Sequence, residues 1–353
     1  MSALLREVMG RARLLGVPFD VHLDLTYRCN ERCLHCYLEH ASPDEMSAPE
    51  YRGLLDRLAE AGVFFLTLSG GEPLLRPDLF EILAHARARA FCVKLKTNAT
   101  LIGQPEAERI RDLGINQVDV SVYSHRPEVH DAVTLVPGSF ERSLHAIRLL
   151  RSLGQKVTLV HIVTRLASGD HPGVRALAGE LGAGFSIDPT ITPKTDGDPS
   201  TLALNVSHSE LVRIVTSPEY VGNVEEYCAP PEPPDPAAFD QVPCGAGHTH
   251  CYIAPDGEVF PCVQFPISCG NVRWQGFLDI WRHSPAMNEV RSIHVRDLPV
   301  CAQCSHIANC SRCPGLALMD GDVRGPSLQD CEKSWARTSL VPTGCPVRFD
   351  VTA

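Results

Sequence analysis

Three cysteines near the start of the chain have the spacing of a metal-cluster site. Cys29, Cys33 and Cys36 lie in the string Cys-Asn-Glu-Arg-Cys-Leu-His-Cys-Tyr, a C-x3-C-x2-C pattern. Three thiolates on one short loop can hold three irons of a four-iron cluster, which leaves the fourth iron without a protein ligand. Because a four-cysteine cage is sufficient for electron transfer, an open iron is expected where the iron must bind a small molecule.

The cysteine loop directly follows the first of six predicted strands, which alternate with predicted helices from residue 20 to about 192. Most of these runs are rich in Val, Ile and Leu and are bounded by turn residues. They cover residues 21–26, 63–68, 92–97, 118–123, 157–163 and 185–191.

Amphipathic stretches and glycines indicate helices between these strands. Residues 49–61 place Leu54, Leu55, Leu58 and Ala59 on one helical face, and residues 139–153 do so with Phe140, Leu144, Ile147 and Leu150. Glycines stand where helix C-terminal caps are expected, at Gly62, Gly114, Gly154 and Gly182. Repeated strand–helix units predict an α/β fold of parallel strands joined by right-handed crossovers. We therefore expect a partial, TIM-like (β/α)6 barrel with its chemistry on loops after the strands' C-terminal ends.

Regular alternation stops after this region, and the remainder is rich in proline and cysteine. Residues 229–236 read Ala-Pro-Pro-Glu-Pro-Pro-Asp-Pro, which is typical of a stiff connector, and ten cysteines follow Pro236. Few long apolar runs accompany these cysteines, so a small domain held together by metal is expected. The predicted divisions are an N-terminal extension (1–19), the barrel (20–195), a bridging segment with the connector (196–243) and a cysteine-rich domain (244–353).

The composition excludes several classes of protein. The chain has 353 residues and a net charge of −10, without a basic block, which argues against a nucleic-acid partner. It has no run of about 18 apolar residues, so no membrane span is expected. Fifteen cysteines without an export signal predict a cytoplasmic protein whose clustered cysteines bind metal rather than form disulfides.

A second motif follows the second predicted strand. Gly70, Gly71, Glu72 and Pro73 form a Gly-Gly-Glu-Pro turn. Glycines there would let backbone carbonyls approach a ligand closely, and Glu72 could pair with a ligand amine. A plain tight turn is the alternative interpretation when the motif stands alone.

The cysteine triad and the Gly-Gly-Glu-Pro turn, in this order and one strand apart, resemble the radical S-adenosylmethionine (SAM) superfamily. The resemblance implies an enzyme whose open iron chelates SAM and which cleaves SAM reductively to a 5′-deoxyadenosyl radical. It also implies SAM contacts at Gly70, Gly71, Glu72 and Pro73, at Tyr37 beside the last cysteine, and at Ser121 at the end of a strand. The arginine that relatives often carry shortly afterwards is absent from the comparable residues 132–136, Ala-Val-Thr-Leu-Val.

The C-terminal cysteines form two blocks. The first holds Cys244, Cys251 and a Gly257-x4-Cys262 unit, and the second is a C-x2-C-x5-C-x2-C block from Cys301 to Cys313, followed by Cys331. A zinc ribbon is the simplest interpretation of paired C-x2-C units, but eight ligands in this order fit two clusters better. The order resembles the SPASM extension of radical SAM enzymes, which usually has three residues, not two, before the block's fourth cysteine.

The SPASM resemblance implies interleaved ligand sets. The first auxiliary cluster would be held by Cys244, Cys251, Cys262 and Cys313. The second would be held by Cys301, Cys304, Cys310 and Cys331. With the SAM cluster, the implied cofactors are three [4Fe-4S] clusters and SAM. Among the remaining cysteines, Cys92 is expected in the core, and Cys228, Cys269 and Cys345 are assigned no role.

The substrate is predicted from the same resemblance. Most SPASM relatives modify peptides or small proteins, and the layout resembles the pyrroloquinoline quinone peptide cyclase. Val263 stands where sulfatase-maturing relatives carry an aspartate base, so that reaction is disfavoured. Because only about 20 residues precede the first predicted strand, a separate leader-binding protein is expected, together with an electron donor such as flavodoxin or ferredoxin.

Two other functions stay open at this stage. The first is a radical SAM enzyme of a haem or other tetrapyrrole pathway, with His248, His250 and His306 as candidate residues near a porphyrin, although exposed loop histidines explain them equally simply. The second is a non-catalytic iron–sulfur or zinc protein, against which the Gly-Gly-Glu-Pro motif argues. The sequence names no catalytic base.

Overall fold

The computed structural model describes residues 3–39, 44–232 and 236–340. Its described residues form one nine-stranded sheet, with strands in the order β6-β5-β4-β3-β2-β1-β7-β8-β9. The strands are β1 (Asp20–Asp24), β2 (Phe65–Ser69), β3 (Cys92–Thr97), β4 (Gln117–Ser121), β5 (Val157–Ile162), β6 (Gly184–Asp188), β7 (His250–Ile253), β8 (Glu258–Phe260) and β9 (Gly270–Asn271).

The first six strands are parallel, and each pairs with its neighbour in sequence. This confirms the predicted α/β fold, and the open sheet is that of a partial barrel. All six predicted strands are present, within a few residues of their predicted bounds. The sequence found them because each carries a run of β-branched and aliphatic residues between turns.

Helices pack on the outer side of this sheet and cover the apolar face of the strands. Those of the barrel are α1 (Ala3–Leu14), α2 (Ala48–Glu60), α3 (Leu79–Ala88), α4 (Gln104–Asp112), α5 (Pro127–Thr134), α6 (Ser139–Ser152) and α7 (His171–Glu180). Those that follow are α8 (His208–Val215), α9 (Val224–Tyr227), α10 (Phe277–His283), α11 (Pro285–Ser292), α12 (Pro314–Met319) and α13 (Leu328–Thr338).

The predicted helical faces and caps are observed. Leu54, Leu55 and Leu58 of α2 are fully buried, and α6 buries its predicted apolar residues in the same core. All four predicted cap glycines have positive φ, between 62° and 89°. This left-handed conformation is the one that glycine adopts without steric cost at a helix end.

The cysteine-rich region is joined to the barrel more closely than a separate small domain would be. Strand β7 pairs in parallel with β1, and β8 and β9 continue the sheet in antiparallel fashion. Ile253, Phe277 and Trp281 from this region lie in the main hydrophobic core. Residues of this region therefore share the main hydrophobic core, because β7 extends the barrel sheet and directs alternate side chains toward the helices.

The remaining segments frame the barrel. In the bridging segment, α8 packs against α13 of the cysteine-rich region, and part of the proline-rich connector lies outside the described residues. Cys345 also lies outside them. Among the residues that the structure describes, none of the helices has the length and apolar character that a membrane span needs.

Cys92 does not lie in the core as expected. Its side chain is partly exposed on the inner face of the barrel, because Val93 and Leu95 take the face that packs on the helices. It lines a cavity of about 680 Å³ at the N-terminal ends of the strands, together with Asp20 and His250. This end of the barrel is opposite to the cysteine loop.

Candidate active site

The predicted cysteine loop lies at the C-terminal end of β1. Cys29, Cys33 and Cys36 are free, partly exposed thiols, and the Cys36 N–H donates to the Cys33 carbonyl at 3.0 Å. Burial raises the pKa of the Cys29 thiol to about 11, and it also raises the pKa values of Cys33 and Cys36. Iron binding must therefore displace protons from these thiols. Three free thiols on one partly exposed loop fit a cluster with one open iron.

The two glycines of the Gly-Gly-Glu-Pro turn pack against the cysteine loop. A Cβ atom at Gly70 would lie 2.3 Å from the Thr26 carbonyl oxygen, and one at Gly71 would lie 2.3 Å from that of Arg28. The Gly71 N–H donates to Thr26 O at 2.7 Å, and the Glu72 N–H donates to Arg28 O at 2.8 Å. The close approach that requires glycine here is thus between two backbone segments.

Glu72 is fully buried, and its carboxylate is occupied by neighbouring residues. Oε1 accepts from the Leu74 N–H at 3.0 Å, Oε2 accepts from the Asn98 N–H at 2.8 Å, and the Thr97 hydroxyl lies within 2.9 Å of both oxygens. Glu72 therefore ties the turn after β2 to the turn after β3. These contacts give the carboxylate a structural role.

Replacing Glu72 with glutamine is expected to destabilise the metal-free chain by about 1–3 kcal/mol, because an amide N–H₂ would face buried donors. Burial raises the pKa of Glu72 to about 7, although the Leu74 and Asn98 N–H groups and Thr97 oppose this. A carboxyl whose pKa is raised on folding stabilises the fold at low pH, and this contribution is lost as pH rises through about 7. The difference in unfolding free energy between the wild type and Glu72→Gln should therefore be larger at pH 5 than at pH 8.

Urea unfolding of both chains at the two pH values measures this difference. Glu180→Gln is a suitable control because Glu180 is exposed at the end of α7, so its replacement should change the unfolding free energy little at either pH. An equal cost for Glu72→Gln at both pH values would contradict the prediction.

Two residues that the sequence analysis missed contact the cysteine loop. The Asn98 side chain donates to Asn30 Oδ1 at 2.9 Å and approaches Cys29 Sγ at 3.9 Å. The Tyr123 hydroxyl lies 3.8 Å from Cys33 Sγ, and its ring packs edge-on to His35. Both residues follow the C-terminal ends of strands, β3 and β4, and this position was the signal that could have found them.

Ser121 and Tyr37, the other predicted SAM contacts, both lie close to this loop. Ser121 is the last residue of β4, and its side chain is near enough to the Tyr123 phenol to oppose the rise in pKa that burial causes. The Tyr37 carbonyl accepts from the Thr195 N–H at 2.9 Å, and burial raises the pKa of the Tyr37 phenol, with Asp24, Cys36 and Cys262 adding to the rise. Tyr37 therefore lies within electrostatic reach of both the loop cysteines and a cysteine of the C-terminal blocks.

A buried polar network lies on the inner face of the barrel where β1 and β7 pair. The Tyr252 hydroxyl donates to Asp24 Oδ2 at 2.9 Å, and it lies 2.8 Å from the Tyr27 hydroxyl. His22 Nε2 lies 3.1 Å from Asp24 Oδ1. Asp24 is fully buried, so Tyr252 and His22 satisfy a carboxylate that would otherwise be costly to bury, and Tyr27 extends the network through Tyr252.

Three of the four cysteines predicted for the first auxiliary cluster lie together. The pKa of Cys313 is raised to about 11 by burial, by Asp330 and by the nearby Cys262 and Cys244 thiols. Burial also raises the pKa of Cys244, and Cys262 adds to that rise. Cys244 and Cys262 border the same small apolar cluster, which contains Phe265. These three thiols fit a cluster site.

The structure places Cys251 in the core, although Cys262 is near enough to add to the burial that raises the pKa of the Cys251 thiol. Cys251 is fully buried in β7, and it belongs to the main hydrophobic core with Val21, Leu23 and Val259. It lies on the helix-facing side of the sheet because the strand alternation and the register with β1 place it opposite Val21. The spacing of the cysteines in the sequence could not reveal on which side of the sheet Cys251 lies.

The cysteines predicted for the second auxiliary cluster lie in the C-terminal block. Burial raises the pKa of Cys310 to about 12, and Asp330, Cys301 and Cys304 add to the rise, so these three thiols are neighbours. Cys331 lies on α13, and the preceding Asp330 accepts from the Cys313 N–H at 2.7 Å. Asp330 thus connects the two predicted ligand sets.

The structure combines a thiol loop at the C-terminal edge of a parallel barrel with further thiol groups in the C-terminal region. This arrangement is that of an iron–sulfur enzyme. Comparison with protein families gives two matches: the radical SAM superfamily over residues 23–166, and an iron–sulfur cluster-binding domain, SPASM, over residues 244–314.

Relatives match over most of both chains. The mycofactocin maturase MftC of Mycobacterium ulcerans is 30% identical, covering 84% of this chain and 82% of its own. The PqqA peptide cyclase of Xanthomonas campestris is 30% identical, covering 92% and 90%. An AdoMet-dependent heme synthase of Oleidesulfovibrio alaskensis is 29% identical, covering 82% and 81%.

Solved structures share the fold. Streptococcus suis SuiB bound to its precursor peptide SuiA has a TM-score of 0.72 at 16% identity, over 92% of this chain and 79% of its own. The enzyme anSMEcpe with bound AdoMet has a TM-score of 0.66 at 15% identity, over 91% and 96%. The chain belongs to the radical SAM superfamily and carries a SPASM domain. It is an enzyme whose cofactors are [4Fe-4S] clusters and SAM.

Proposed function

We propose that this enzyme modifies a peptide or small protein, acting as a maturase of a ribosomally made peptide. The observation that carries the proposal is that two peptide-modifying relatives, MftC and the PqqA peptide cyclase, align at 30% identity over more than four-fifths of this chain and of their own. The alignment therefore spans both the barrel and the cysteine-rich region.

Ligand assignments follow from the grouped thiols. Cys29, Cys33 and Cys36 would hold the SAM cluster, and Cys301, Cys304, Cys310 and Cys331 would hold the second auxiliary cluster. Cys244, Cys262 and Cys313 would hold the first auxiliary cluster, for which Cys251 is the fourth cysteine expected from the sequence. The proposal also includes a total of three clusters, a barrel domain over residues 20–195 and a cysteine-rich domain over residues 244–353.

Cys29, Cys33 and Cys36 would hold the cluster at which SAM, when bound, would supply radical chemistry for hydrogen abstraction from the substrate. The chain's own residues position the reactants around that step. Gly71 and Glu72 hold the segment that leads into the cysteine loop through backbone hydrogen bonds, and the Tyr252 hydroxyl fixes the buried Asp24 carboxylate on the inner face. A cytoplasmic location, a separate leader-binding protein and a flavodoxin or ferredoxin as electron donor complete the proposal.

A haem-pathway reaction is the second candidate, because the AdoMet-dependent heme synthases are nearly as similar. Contacts of the candidate porphyrin residues favour the peptide. His306 is buried and its Nδ1 lies 2.8 Å from Ser334 Oγ, and His250 Nδ1 lies 2.9 Å from Asp20 Oδ2. Burial keeps His306 from an external porphyrin, whereas the Asp20 contact of His250 occupies only one of its ring nitrogens.

The test offers both substrates to the reconstituted enzyme without oxygen, with SAM and dithionite. One arm contains any short peptide encoded beside the gene, with any adjacent leader-binding protein, and the other contains an iron porphyrin. We expect a mass change in the peptide and 5′-deoxyadenosine in step with it. Conversion of the porphyrin alone would overturn the proposal, and 5′-deoxyadenosine without a product in either arm would exclude both substrates offered.

A further inference from the structure

The two neighbouring residues His250 and Cys251 point to opposite faces of β7. Cys251 faces the helices and is fully buried among apolar side chains. His250 faces the inner side, and its neighbour in the sheet is Asp20 of β1. Only one of these two residues can therefore reach a group on the inner face.

The backbone brings His250 to the chain segment that carries Cys244. Ala246 forms a parallel bridge with His250, and the Gly247 N–H donates to the His250 carbonyl at 2.8 Å. The His250 imidazole and the Cys262 thiol are also near enough for each to shift the pKa of the other. His250 thus lies near Cys262 and next to the backbone segment that carries Cys244.

The other ring nitrogen of His250 is held by a carboxylate. Nδ1 lies 2.9 Å from Asp20 Oδ2, which leaves Nε2 as the ring nitrogen outside this pair. Histidines that ligate metals usually donate their second N–H to a carboxylate or carbonyl, which fixes the ring and its tautomer. The Asp20–His250 pair has this arrangement.

We propose that His250, and not Cys251, is the fourth protein ligand of the cluster held by Cys244, Cys262 and Cys313. This inference rests on the proposed assignment of these three cysteines. Imidazole is neutral and thiolate is negative, so the cluster would carry less negative charge than an all-cysteine cluster. Replacement of cysteine by histidine raises the reduction potential of iron–sulfur centres, which suits a cluster that accepts electrons.

The test uses full-length protein with Cys29, Cys33 and Cys36 replaced by alanine, so that only auxiliary clusters remain. After reconstitution and reduction, pulsed EPR should show strong nitrogen coupling from a directly bound imidazole. His250→Ala should abolish this coupling. Adding free imidazole to that variant should restore it. His250→Cys should keep the iron, lose the coupling and lower the midpoint potential.

Cys251→Ala is the matched variant, and it should keep both the iron content and the nitrogen coupling. The inference would be overturned if Cys251→Ala lost the cluster. It would also be overturned if the nitrogen coupling were absent or weak in the protein that still carries His250. Circular dichroism of each variant separates loss of a ligand from loss of the fold. None of these measurements requires the substrate, so their results remain valid if the peptide test fails. Absence of any auxiliary cluster would instead overturn the assignment of the three cysteines.

Discussion

Replacing Cys29, Cys33 and Cys36 together with alanine is expected to abolish 5′-deoxyadenosine formation and to remove about four iron atoms per chain. The three thiols share one loop at the C-terminal end of β1, and no fourth thiol of the described residues is grouped with them. Two remaining thiolates could not retain a cluster with an open iron, so the single replacements are expected to be almost as severe.

Iron content and 5′-deoxyadenosine are measured after anaerobic reconstitution with SAM and dithionite. The matched control replaces Cys92 and Cys228, two free and partly exposed cysteines outside the three thiol groups. That variant should keep its iron and its product. Product formation by the triple variant at the wild-type rate, or equal iron loss in the control, would contradict the assignment.

The sequence was sufficient for the barrel because its strands and helices are each marked locally. Runs of aliphatic residues mark β1 to β6, and the apolar faces of α2 and α6 follow the helical period. Gly62 and the three other cap glycines mark the helix ends. Each signal lies within about 15 residues of sequence, which is the range over which periodicity reports secondary structure.

The pairing of β7 with β1 could not be predicted in the same way. Strand β7 has only four residues, and its partner lies about 230 positions earlier in the chain. The face on which Cys251 lies depends on this pairing, since a shift of one residue would exchange the positions of His250 and Cys251. Spacing identified the cysteines, but long-range register decided which of them share a face.

The motif residues show a second limit of sequence analysis. Gly70, Gly71 and Glu72 make close contacts with other segments of the chain, which the motif alone did not indicate. A glycine that admits a ligand and a glycine that admits another backbone segment have the same sequence signature. Only the position of Thr26 and Arg28 distinguishes them.

Replacing Gly71 with alanine is therefore expected to disturb the cysteine loop directly. The new Cβ would lie 2.3 Å from the Arg28 carbonyl oxygen and 2.7 Å from its carbon, so a backbone segment rather than a flexible side chain must move. Overpacking of this kind costs about 1–3 kcal/mol. Because Arg28 directly precedes Cys29, the displacement should lower SAM-cluster occupancy and 5′-deoxyadenosine formation together, while about eight iron atoms of the auxiliary clusters remain.

Gly53→Ala gives the control for a glycine without this role. Gly53 lies inside α2, and a Cβ there would meet only the Arg57 guanidinium, at 3.7 Å. Alanine in a helix interior is about 1 kcal/mol more favourable than glycine, so this variant should be slightly more stable and fully active. Wild-type iron content and product in Gly71→Ala would show that the loop can move without losing its cluster. A decrease confined to Gly71→Ala would instead tie the glycine to the geometry of the three thiols.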